Sequence, residues 1–141
     1  MLRVIGVDTG IDGGIAVDGD SIDGTRKFQM PPDVHGINVL MGKIAVPGKT
    51  LVVVNVKRPY EASFRDTRLD NYHADHFRHL AQTMQLEYLQ YQTVSPTDTG
   101  CRDDGVTRAF CLAAQVWDKL EALRIKLKYD RIYNKYQKKG E

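Results

Sequence analysis

With 141 residues, 42% of them hydrophobic and 27% charged, the chain suffices for one domain with a real core and is too short for two. No apolar run approaches the ~20 residues of a membrane span. The first residues lack a basic stretch leading into an apolar signal core. Cys101 and Cys111 are too few for a disulfide framework and lack partners at zinc-finger spacing, so a reducing cytoplasm is expected.

The net charge of +2 is unevenly spread: Arg124 to Glu141 holds seven basic and two acidic residues, leaving −3 for residues 1–123. The basic residues suit a solvated helix end. Interleaved with Tyr129, Tyr133 and Tyr136, they also suit contact with nucleic acid.

Val4-Ile5-Gly6-Val7 is a short β-branched run ending on Asp8, and Gly13 to Val17 is a second. Gly10, Asp12 and the adjacent glycines between them predict an antiparallel hairpin. A carboxylate closing a buried strand must be paired, hydrogen-bonded or bound to a metal. Asp8 is therefore either a turn cap or a ligand for a metal or phosphate. Arg26 to Met30 completes a three-strand meander, which Pro31-Pro32 ends. Ile37 to Ile44 predicts a short amphipathic helix.

Leu51 to Val56 is the strongest strand signal, a β-branched run suited to a central position, with Asn55 near its C-terminal end. A helix follows from about Ala62 to Gln85, with Leu69, Tyr72, His76, Leu80 and Met84 expected on its buried stripe. His73, His76 and His79 rotate too far around that helix to share one metal. They are expected to be partly exposed or to face DNA. Leu86 to Val94 alternates as a peripheral strand does, Ser95 to Gly100 is loop, and a long final helix starts beside Asp103-Asp104. Acids there also serve as ordinary caps.

The pattern β–β–β–α–β–α–β–α, with Asp8 on the first strand, resembles the ribonuclease H-like (RNase H-like) nucleases and, by its first hairpin, the actin-like sugar kinases. Kinases of that kind close two such domains around a nucleotide, which this length does not allow. Ile5 to Gly10, Leu51 to Lys57, Val94-Ser95-Pro96 and Arg102-Asp103-Asp104-Gly105 together resemble the RuvC-like Holliday junction resolvases, over nearly the whole chain. The small size is similar to that of a phage-type enzyme.

That resemblance implies an α/β, RNase H-like mixed five-stranded sheet flanked by helices. Residues 1–123 would form the nuclease domain and residues 124–141 a basic helical extension of it. It implies a homodimer, inside a bacterial or phage-infected cell, that binds four-way DNA junctions and hydrolyses phosphodiester bonds with two Mg²⁺ or Mn²⁺ ions. One cation would activate water and the other would stabilise the leaving oxygen. Asp8, Asn55, Asp103 and Asp104 would form the catalytic and metal-binding set. Arg58, Phe64, Arg65, Arg68, Lys126, Lys128 and Arg131 would contact DNA, with Phe64 or Tyr60 opening the junction.

The chain departs from the family pattern twice. Asn55 stands where the family presents Glu, and no acid stands near Thr107 or Arg108, where another is expected. An amide oxygen can bind a metal but brings no charge, and an arginine facing the cage would repel one. The alternatives are a catalytically inactive RuvC-like binding protein and a small nuclease of the YqgF type, which acts on ribosomal RNA precursors. Glu61 is the next candidate for the central-strand ligand.

Overall fold

The apolar runs assemble into one five-stranded mixed sheet with helices on both faces. A computed structural model describes residues 3–10, 13–19, 26–57, 68–93 and 105–139. In chain order the elements are β1 (Arg3–Asp8), β2 (Gly14–Gly19), β3 (Lys27–Gln29), α1 (Val34–Ile44), β4 (Thr50–Lys57), α2 (Arg68–Thr83), β5 (Glu87–Thr93) and α3 (Gly105–Lys139). This is the succession the sequence predicts. The strands lie in the order β3-β2-β1-β4-β5. The β1–β2 and β2–β3 pairs are antiparallel, giving the meander, while β1–β4 and β4–β5 are parallel.

Strand alternation divides the core between the two faces. Ile5, Val7, Ile15, Val17, Val52, Val54 and Val56 pack under α1 and α2. Val4, Leu51 and Val53 face the other way and meet Leu112, Ala113 and Val116 of α3. Gly6 lies on that second face and permits the close approach of α3. A Cβ at Gly6 would strike the Ala109 carbonyl oxygen and come within 2.9 Å of the Ala113 nitrogen. Continuing the alternation puts Asp8 and Asn55 on the α3 side of the sheet.

Helix boundaries follow local chemistry. Asp33 caps α1, its side chain accepting from the Gly36 N–H at 2.7 Å. The helix therefore starts at Val34, earlier than the expected Ile37. The chain turns at Gln85, whose φ of 58° lies in the left-handed region, two residues after α2 ends. The expected start of α2 near Ala62 lies outside the described residues.

The stripe expected for α2 needs correction. Leu69 and Tyr72 are exposed, and the buried side is His73, Ala74, Phe77, Leu80 and Ala81. His73 is thus a core residue rather than a partly exposed one. Its replacement of Tyr72 on the inner face follows from Phe77, one helical turn further on, which fixes the rotation of the helix.

β4 is interior to the sheet and β5 is an edge, as their patterns predict. α3 is 35 residues long, about 52 Å at ~1.5 Å per residue. It crosses position 123 without a break, but only its first half lies on the sheet. Beyond Leu120 its apolar side chains lose cover: Leu123 is 51% and Leu127 49% exposed. Among the described residues no helix is long and apolar enough to cross a membrane. Cys111 is disulfide-bonded rather than a free thiol, which the cysteine count did not anticipate.

Candidate functional site

Asp8 closes β1, and the parallel register places it directly beside Asn55 of β4. Both are deeply buried, 1% and 2% exposed, which would be costly without partners. Asn55 Nδ2 donates to Asp8 Oδ1 at 3.2 Å. The other carboxylate oxygen, Oδ2, accepts from Arg108 Nε at 3.2 Å and Nη2 at 3.1 Å. The Arg108 side chain is itself only 12% exposed. Asp8 makes these bonds and none to a turn amide among the described residues, so in place of the turn-cap alternative it has an ion pair with α3 and an amide contact with β4.

The shell around this corner is also ordered. Thr9 Oγ1 donates to the Asn55 carbonyl at 3.1 Å. The Gly10 N–H donates to His73 Nδ1 at 3.1 Å. That bond requires Nδ1 to be unprotonated, so His73 is neutral with its proton on Nε2. Gly10 has φ 108°, a conformation that favours glycine, and the turn aims its N–H at α2. Asn55 Oδ1 is buried and makes no hydrogen bond.

Arg108 reaches the corner because of its helical phase. It stands four residues before Leu112 and eight before Val116, both packed on the sheet, so the same side of α3 brings it to the strand ends. From the sequence, Arg108 stood where an acid was expected and as a cation that would repel a metal if it faced the cage; its ion pair with Asp8 was not anticipated. The four-residue spacing to Leu112 and Val116 was the signal that it faces the sheet. His73 carried a similar signal in its spacing to Phe77.

Whether this corner suits a divalent cation follows from its charges. A cation near Asp8 would also lie beside the guanidinium. A divalent ion ~4 Å from a unit positive charge is repelled by about 8 kcal/mol at an effective dielectric of ~20. This cancels the attraction of Asp8 at comparable distance. Asn55 adds an oxygen but no charge. No group of three or more His, Cys, Asp or Glu side chains that could hold a metal occurs among the described residues. Asp8, Asn55 and Arg108 by themselves supply no net negative charge for a pair of divalent cations.

Of the other expected site residues, Asp103 and Asp104 lie outside the described residues, as do Arg58, Phe64 and Arg65. Arg68 opens α2, but its side chain is not described. Lys126, Lys128 and Arg131 are exposed on the outer half of α3. Of the three α2 histidines, His79 is exposed and His76 bonds Asn38 of α1 at 2.8 Å. No protein-family model matches the chain, and no curated protein matches it.

Proposed function

We propose that the chain is an RNase H-like protein of the RuvC type that binds branched DNA and cleaves it slowly or not at all. The observation that carries this reading is the Arg108–Asp8 ion pair. Two-metal hydrolysis needs anionic oxygens free to converge on cations. Here an internal guanidinium occupies one oxygen of the first-strand acid and the Asn55 amide occupies the other. The strand order β3-β2-β1-β4-β5, with Asp8 ending the central strand β1 beside Asn55 of β4, supports the RNase H-like assignment. The basic outer half of α3 supports a nucleic-acid partner. Binding by shape and phosphate contacts does not require the corner to be catalytic. A homodimer inside the cell, engaging two arms of a four-way junction, fits the same reading.

A second reading, a fully active Mg²⁺- or Mn²⁺-dependent junction resolvase, is favoured by the partnerless Asn55 Oδ1. That atom is an oxygen ligand in waiting if Arg108 swings away.

The deciding experiment compares the chain with Asn55→Glu, Arg108→Asp and the double variant. Substrates are an immobile four-way DNA junction and a structured RNA, with Mg²⁺ or Mn²⁺; metal binding is followed by calorimetry. Junction binding without cleavage is expected of the unaltered chain. Asn55→Glu alone should remain poor, because Arg108 still holds Asp8. The double variant should bind the divalent ion and cut, and Asp8→Asn should abolish both gains. Brisk cutting by the unaltered chain would establish the second reading, and preference for RNA would point to the YqgF type.

A further inference from the structure

Past Leu120, α3 leaves the sheet, and its exposed cations do not spread evenly around it. At ~100° per residue, Arg124, Lys128, Arg131 and Lys135 fall within an arc of about 60°. All four are exposed. Three of them, with Leu127, line a shallow groove along the helix. Lys126 lies about 140° or more from each of the four at the same pitch. The opposing acids are few. Glu121 holds Arg124 at 2.8 Å in an exposed pair, which screening makes easy to exchange, and Asp130 lies on the far side with Lys126.

We propose that Arg124, Lys128, Arg131 and Lys135 form a linear track for the phosphate backbone of duplex DNA, separate from the Asp8 corner. The spacing supports this. The four cations span about 16 Å of helix at ~1.5 Å per residue, and duplex DNA presents one phosphate per ~3.4 Å along each strand. About five phosphates of one strand therefore lie within the length of the track, a close match in charge density. Arg108 points about 160° or more away from Arg124, Lys128 and Lys135 at ~100° per residue, so the corner and the track present to different sides. A second copy docking symmetrically on the same face would set these cations against one another, which disfavours it as the occupant. The inference rests on the nucleic-acid part of the proposed function and assigns its surface.

The test is the salt dependence of binding by the full chain to a 30-base-pair duplex and to a four-way junction with arms of the same sequence. A track variant carries Arg124→Gln, Lys128→Gln, Arg131→Gln and Lys135→Gln; glutamine keeps helix propensity high. A control variant removes equal charge elsewhere through Lys43→Gln, Lys49→Gln, Arg78→Gln and Lys119→Gln, all exposed and outside the expected DNA contacts. Each phosphate contact contributes about −0.9 to the slope of log affinity against log salt. The track variant should lose about 3.6 of that slope, and the control at most about 1. Single Lys128→Glu and Arg131→Glu variants, checked by circular dichroism, should each lose about 1 and guard against misfolding of the quadruple variant.

Equal losses in track and control variants would overturn the track, as would an unchanged slope in the track variant. Loss of self-association without a change in slope would also overturn it, assigning the face to a second copy. If the unaltered chain binds neither DNA, the track and the proposed function fall together. If it binds with a slope that the track substitutions leave intact, the track alone falls.

Discussion

Arg108 of α3 and Asp8 of β1, 100 positions apart in the chain, meet with Nη2 3.1 Å from Oδ2. The contact closes the end of β1 against α3 and gives the buried carboxylate its countercharge.

Removing one member should therefore cost more than removing both. Arg108→Met leaves Asp8 buried without its cation, a change worth about 3–5 kcal/mol. Adding Asp8→Asn should recover much of it. Urea denaturation of the two single variants and the double provides the comparison. Additive losses would mean that the pair contributes little coupling.

His73 should matter through Gly10. His73→Phe preserves bulk but leaves the Gly10 N–H without its acceptor, a loss of about 1–3 kcal/mol for a buried group. Hydrogen exchange at the Gly10 amide should accelerate more than exchange at Val53, in the middle of β4. Uniform acceleration would place the effect in general packing rather than in this bond.

Gly6→Ala should lift α3 from β1, since its Cβ has no room beneath Ala109 and Ala113. Overpacking of this kind costs about 1–3 kcal/mol. Trp117, the single tryptophan of the chain, lies partly buried on α3 against the sheet and reports the shift. Unchanged Trp117 fluorescence together with unchanged stability would show that the backbone accommodates the methyl group.

His76 supplies a pH dependence with a definite sign. Partial burial, and then the charge of neighbouring His79, hold its imidazole below the ordinary value of 6.5. As pH falls, the unfolded chain takes up this proton first. The contribution is therefore complete above about pH 6.5 and is lost as pH drops toward the folded value. His76→Gln should flatten the fall in urea midpoint between about pH 7.5 and 5. An identical fall in both proteins would remove His76 from the acid response.

The sequence by itself determined the elements and the kind of sheet. β-branched runs at Val4–Val7 and Leu51–Val56, glycines around Gly10, and Pro31-Pro32 act through nearest-neighbour sterics and local hydrogen bonding, so they are legible one segment at a time. The adjacency of Asp8 and Asn55 was also legible, because two parallel strands entering the same end of a sheet align their last residues. Tertiary structure decided the rotations. Whether Tyr72 or His73 faces the core depends on how α2 seats Phe77 against the sheet. Whether Arg108 is a solvated cation or the partner of Asp8 depends on Gly6 letting α3 sink onto β1. A helix's own periodicity leaves its angle about its axis undecided to within a residue or so, roughly 100°. Packing against the sheet fixes that angle, and with it the charge of the corner.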